Sequence, residues 1–288
     1  MKFSQSGLPN DKVVEEAFNY SYAKTMALRH ETLKQFKLQI DRIHAQQLHA
    51  LDAHRAASAQ TNVPMTDAVY NSEKNALAQE HADQLAGGPR AVEAYLNNTF
   101  AKQHLTPALE LHRHSDKTSP ALLAAAVLSD AVRSPIDYEE VITVFGKGIG
   151  GLVAECCHLV VYPGEADTLL KNAGSDAKRI YLANVCADLG FFHKMAKANP
   201  MQKIAFPPEH AEALFKNAKL LWGNDKKLDQ RFVAVFNLTA AAVASVCRME
   251  VAADGALQMI KGTVAPPNNP GFRPTRPGGP AGGGDSVF

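Results

Sequence analysis

Metal binding, thiol nucleophilicity and phosphate cradling each need particular side chains at fixed spacing, and this chain offers a candidate for each. His44, His49 and His54 recur at five-residue intervals, and His112 and His114 stand two apart. Two imidazoles on one helix share an ion when they lie four residues apart, because that spacing puts them on one face. Spacings of five and two turn the rings away from each other, so all five read as residues of polar helix faces. Cys156-Cys157 is an adjacent pair inside an apolar run, where cysteines behave as small hydrophobes. Cys186 lies beside Asp188 with no evident base. The run Gly146-Lys147-Gly148-Ile149-Gly150-Gly151 invites a phosphate-loop reading. It lacks the preceding strand and the Gly-Lys-Ser/Thr order that such a loop uses.

The elements that would position a site are helical. No Gly or Pro interrupts the chain from Asn10 to about residue 60. Asn10 or Asp11 can cap that helix, with Glu15 and Glu16 in its first turns, where carboxylates favour the N-terminus. Leu33, Phe36, Ile40 and Ile43 share one face, and Lys34, Lys37, Arg42 and Gln46 line the other. Asn62, Pro64 and Thr66 break the helix. A second block starts near Asp67 and is expected to stop at Gly87-Gly88-Pro89. Short helices follow, with breaks at Thr106-Pro107, Ser119-Pro120, Ser134-Pro135, Phe145-Gly146, Pro163-Gly164, Gly174-Ser175 and Asn199-Pro200. Pro207 and Pro208 suit a first helical turn. Gly223-Asn224 reads as a turn before a last helix, Gln230 to Val251, apolar on nearly every face and therefore expected to be buried in a bundle. Only Leu159 to Tyr162 resembles a strand, at a helix end. The expected fold is all-α: a long N-terminal helical arm over residues 1–66, a helical domain over 67–206, a helix pair over 207–262, and a Pro/Gly-rich tail over 263–288 expected to be disordered.

The order and spacing of helices around Ala121 to Leu159 give these patterns a chemical meaning. An apolar helix runs into Leu128-Ser129-Asp130. A polar turn with Pro135 follows, then Tyr138-Glu139-Glu140-Val141-Ile142-Thr143-Val144-Phe145-Gly146, then a third apolar helix. This stretch resembles the HD-type hydrolase domain of the RelA/SpoT family, which degrades the alarmone (p)ppGpp. The likeness extends over roughly Asn75 to Pro200, so it implies an HD-domain-like helical bundle. Glu80-His81-Ala82-Asp83-Gln84 is similar to the family's His-x-Gly-Gln opening. His104, before Thr106-Pro107, takes the place of its first metal-binding histidine. Asp130 and Asp188, the latter in Ala187-Asp188-Leu189, take the places of two ligand aspartates. The pattern departs at Ser129, which replaces the ligand histidine of the His-Asp pair, and at Arg133-Ser134, which replace the acidic Glu-Asp pair. Leu189 and Phe192 stand where the family has Arg and Asn. No Gly-Arg-x-Lys synthetase signature follows residue 200.

The resemblance thus implies His104, Asp130 and Asp188 as ligands for Mn²⁺ or another divalent metal. One imidazole and two carboxylates suit such an ion and leave positions open for water and substrate. Arg133 would repel the metal and cannot accept a proton from water, but a guanidinium binds phosphate well. It therefore stands as a nucleotide-binding candidate, with a guanine nucleotide as the implied partner. Three readings stay open: a metal-dependent (p)ppGpp pyrophosphohydrolase with weakened or lost activity, a silent nucleotide-binding or protein-interaction module, and a helical scaffold with no ligand.

Composition narrows the partners. Thirty basic against 29 acidic residues give a net charge of +1 over 288 residues. That balance gives no reason to expect nucleic acid or an anionic membrane. No apolar run approaches the roughly 20 residues of a membrane helix. The opening MKFSQSGLPNDK has no apolar segment behind its lysine, so a signal peptide is not expected. Four cysteines do not make a disulfide framework in so long a chain, and a reducing cytoplasm is the expected location. The long N-terminal helix is also a candidate surface for forming a homo-oligomer.

Overall fold

A computed structural model describes residues 1–61, 63–129, 138–161, 166–198, 208–242, 249–251 and 257–259. The chain is all-α, with one short antiparallel strand pair among the described residues. The helices are α1 (Lys12–Ala27), α2 (Arg29–Ser58), α3 (Asp67–Phe100), α4 (Thr106–His114), α5 (Pro120–Leu128), α6 (Tyr138–Val161), α7 (Ala166–Asn172), α8 (Ser175–Ala198), α9 (Pro208–Lys219) and α10 (Lys226–Ala242). The strands β1 (Met249–Val251) and β2 (Leu257–Met259) pair antiparallel, with Glu250 opposite Gln258. The tail expected to be disordered, 263–288, lies outside the described residues.

Two compact units emerge. One holds Met1–Ser21 and the described residues from Ala101 on; the other is Tyr22–Phe100. The boundary drawn at residue 66 thus falls between α2 and α3, which belong to one unit.

The first unit is built around α5. Ser119 accepts a hydrogen bond from the Leu122 amide at 3.1 Å, and Pro120 opens the helix. A side-chain oxygen at the cap and a proline at the first position both suit amides that lack helical partners. All seven residues from Leu122 to Leu128 are buried. A helix apolar on every face must be enclosed by others. Helices α4, α6 and α8 supply that enclosure, and α1 adds Val14 and Ala17 to the same core. Asp11 caps α1 through the Val13 amide at 2.9 Å.

Helices α8 and α10 pack side by side. Leu228, Phe232, Val235, Phe236 and Thr239 form the buried stripe of α10, and Thr239 Oγ1 donates to the Leu189 carbonyl of α8 at 3.0 Å. Phe215 of α9 sits against Phe232 and Phe236 at 5.7 and 5.5 Å between ring centroids. Arg231 clamps Glu110 of α4 with two hydrogen bonds of 2.8 and 2.9 Å. The paired geometry matches the guanidinium fork to both carboxylate oxygens.

The break expected at Phe145-Gly146 is a kink inside α6, where Gly146 adopts φ 81°. The two halves then fold so closely that a β-carbon on Gly150 would lie 2.6 Å from the Ile142 α-carbon. Gly146 thus serves a sharp bend and Gly150 a close crossing of backbones.

The second unit is an antiparallel pair, α2 and α3. Here the expected stop at Gly87-Gly88-Pro89 is wrong: α3 runs unbroken from Asp67 to Phe100 with Pro89 inside it. A proline removes one helical amide and crowds the preceding turn. Packing outweighs that cost. Gly88, Val92, Leu96 and Phe100 form one buried stripe, and Gly88 gives the Phe36 ring room to pack. A second correction concerns the last helix, expected to run to Val251. It is described to Ala242, and Met249–Val251 is a strand. The apolar run reads equally well with a period of two or of 3.6. The strand-like segment Leu159 to Tyr162 is helical through Val161.

Candidate functional site

Of the residues assigned by resemblance, His104 and Asp188 lie among the described residues of the first unit. The chain leaves α3 through a π-helical turn, Ala101–Leu105, fastened by Thr106 Oγ1 donating to the Ala101 carbonyl at 2.7 Å. Such turns widen the helix and turn a side chain out of its regular register. Here the turn carries His104, which is 0% exposed. Its Nδ1 lies 2.8 Å from the Val127 carbonyl near the end of α5. A carbonyl only accepts, so Nδ1 carries the proton and Nε2 is the basic nitrogen. Ser21 Oγ donates to the same carbonyl at 3.5 Å. The last carbonyls of a helix have no donors within it, and His104 and Ser21 fill that need.

Burial lowers the pKa of His104 to about 4, against a smaller opposing effect of its hydrogen bond to Val127. The ring is therefore neutral at pH 7. A neutral imidazole with one nitrogen anchored on a backbone carbonyl is the form that binds metal. It is equally a satisfied core histidine.

One turn on, Ser129 is 3% exposed. Its hydroxyl donates to the Ala126 carbonyl at 2.9 Å and accepts from Asn184 Nδ2 of α8 at 3.3 Å. Asp188 stands four residues after Asn184, on the same face of α8, and is half-buried. The π turn thus meets the end of α5 at Val127, and the end of α5 meets α8 at Asn184. Asp130 and Arg133 lie outside the described residues. Among the described residues, no three His, Cys, Asp or Glu side chains group to hold one ion.

Sequence reading missed Ser21 and Asn184. Ser21 follows Val14, Ala17 and Phe18 at helical spacing, so its place on the buried stripe of α1 was available from the periodicity. Asn184 interrupts the apolar run of α8 one turn before Asp188, and a polar residue on a buried stripe asks for a partner.

The remaining candidates have other occupations. His49 and His54 are exposed, as expected of a polar face. His44 is not: it stacks on His81 at 4.3 Å between centroids, and His81 Nε2 pairs with Asp41 at 2.8 Å. Cys156, Cys157 and Cys186 are buried, and burial pushes the Cys156 and Cys186 thiols well up, away from the reactive thiolate. No helix among the described residues is long and apolar enough to cross a membrane. No protein-family model matches this chain, and no curated protein or solved structure matches it either.

Proposed function

We propose that this chain is a catalytically silent relative of the HD-type (p)ppGpp hydrolases, a helical module that binds a guanine nucleotide without turning it over. Ser129 carries this reading. It stands where the resemblance calls for a ligand histidine, and its one proton is committed to Ala126 while Asn184 donates to its oxygen. A neutral hydroxyl so engaged is a poor ligand for a hard cation. Arg133 replaces the acid that would help a water attack, and its guanidinium suits a phosphate instead.

The test is a calorimetric titration of the full-length protein with guanine nucleotides, (p)ppGpp included, beside an assay of pyrophosphate release with Mn²⁺. Saturable binding weakened by Arg133→Ala, with release no faster than without protein, is expected. Release abolished by Asp188→Ala overturns the silent reading. A flat titration removes the nucleotide and leaves a scaffold.

The anchored, neutral His104 favours a second reading, a residual metal-dependent pyrophosphohydrolase. His104, Asp130 and Asp188 would hold Mn²⁺ or a similar ion, which supplies charge neutralisation at phosphate and acidifies a bound water. Metal analysis of the native protein decides it: stoichiometric metal lost in Asp188→Ala supports this reading, and metal-free protein that takes up no Mn²⁺ on dialysis overturns it.

A further inference from the structure

We propose that the cavity between the N-terminal segment and α1 binds a short apolar peptide with free termini. The proposal holds whether the end of α5 is silent or active, because it uses none of the residues assigned there.

The cavity measures about 540 Å³, within the range of sites that hold small organic ligands. Met1, Phe3 and Leu8 give it an apolar lining, and Lys2, Asn10, Glu15 and Asn19 a polar one. Its walls are fixed from behind. Phe3, in a short 3-10 turn (Phe3–Gln5), meets the buried Phe18 ring edge-on at 5.5 Å between centroids. Ser6 is buried, and its hydroxyl accepts from the Leu8 amide at 3.1 Å. Leu109 and Arg113 of α4 back the chain at Gly7. The segment is thus held at both Phe3 and Leu8, and walls held in place lower the cost of ordering them around a ligand.

The polar lining carries both signs. Lys2 comes from the N-terminal segment and Glu15 from the first turn of α1. Both line one cavity, yet among the described residues no ion pair joins them, whereas Lys12 and Glu16 on the same helix do pair, at 3.8 Å. The amides at the start of α1 are not the attraction, because Asp11 already accepts from Val13 and Val14 at 2.9 and 3.4 Å.

A cation and a carboxylate held apart in one cavity match a ligand that carries the opposite charges at its two ends. A terminal ammonium suits Glu15, and a terminal carboxylate suits Lys2. Asn10 and Asn19 each offer an amide donor and acceptor, which is what a peptide bond between those ends needs. An inorganic anion would use Lys2 without Glu15, and a metal ion Glu15 without Lys2. Both charged side chains are exposed, so each contact is screened and adds modest affinity.

Calorimetry of the full-length protein tests this, with the free tripeptide Ala-Phe-Ala as probe. Its N-acetylated form and its C-terminal amide are the controls, each lacking one terminal charge. Saturable binding of the free tripeptide, weakening with salt, is expected, and each capped form should bind about fivefold less tightly. Glu15→Gln should weaken the free peptide by the same factor and leave the N-acetylated form unchanged. Lys2→Gln should do likewise against the amide. Circular dichroism should confirm an unchanged fold in both variants. A flat titration, capped forms that bind as well as the free one, or variants without effect each overturns the proposal.

Discussion

Helix α5 and helix α2 are held in opposite ways. Nine residues long, α5 buries seven of them in unbroken sequence; α2 is 30 residues long and buries only Ile40 and Leu51. The first is apolar on all sides and exists because other helices enclose it. The second has one narrow apolar stripe and needs only α3. Where α5 is surrounded by Leu and Ala, the α2–α3 pair includes a layer of two stacked imidazoles, with Asp41 holding one of them. His44 Nδ1 is buried and finds no hydrogen-bond partner among the described residues. A polar layer of this kind lowers stability but favours one register of the pair. The difference separates a core that carries most of the burial energy from a helical pair whose alignment is set by polar contacts.

The largest expected effect comes from cutting into α5. Leu128 is 0% exposed, whereas Leu38 on α2 is 55% exposed. Leu128→Ala should lower unfolding stability by about 3–5 kcal/mol, through lost burial plus the cavity left behind. Leu38→Ala should change it by less than about 0.5 kcal/mol. Urea unfolding of both variants checks the contrast. Equal losses would mean that α5 is less enclosed, or the back of α2 more so, than described.

Next in size is the proton linkage of His104. Its folded pKa, about 4, lies below the ordinary 6.5, so the unfolded chain binds the proton more readily. The stability it contributes is complete above about pH 6.5 and is lost as pH falls toward 4. A depression of this size is worth about 3 kcal/mol at neutral pH. Unfolding measured from pH 7.5 to 4 should show the decline, and His104→Gln should flatten it. An unchanged pH slope in that variant would mean that His104 is solvated enough to protonate in place.

Local chemistry made much of this fold legible. Ser119-Pro120 announces the start of α5, Phe145-Gly146 its kinked neighbour, and Gly223 the turn into α10, because cap, kink and turn depend on residues next to one another. The Gly87-Gly88-Pro89 run misled for the complementary reason. Its local signal is a stop, and what overrules it is Phe36, about 50 residues away in sequence, packed on Gly88. Of the candidate site, His104 and Ser129 were singled out from helix order, and the structure sets His104 against Val127 of α5 and Ser129 against Asn184 of α8. The use of the His104 ring was not legible, since the Val127 carbonyl it holds lies 23 residues on. Neither was the engagement of Ser129 by Asn184, 55 residues away.

The smallest effect sharpens the contrast inside the α2–α3 pair itself, at two adjacent glycines. Gly87 is exposed, and a β-carbon there would meet nothing within 4 Å. Gly87→Ala should stabilise α3 by about 0.5–1 kcal/mol, chiefly by restricting the unfolded chain. Gly88 is buried, and its added β-carbon would lie 3.1 and 3.2 Å from two carbons of the Phe36 ring. That is tighter than ordinary packing, so the ring must shift and the gain should vanish or reverse. Amide hydrogen exchange along α3 in the full-length protein reads both changes as local opening free energies. Trimming the ring should then restore the difference: Gly88→Ala combined with Phe36→Leu should cost less than the two changes made separately. Strict additivity would show that Phe36 does not constrain Gly88, and that Pro89 is tolerated in α3 for a reason other than this contact.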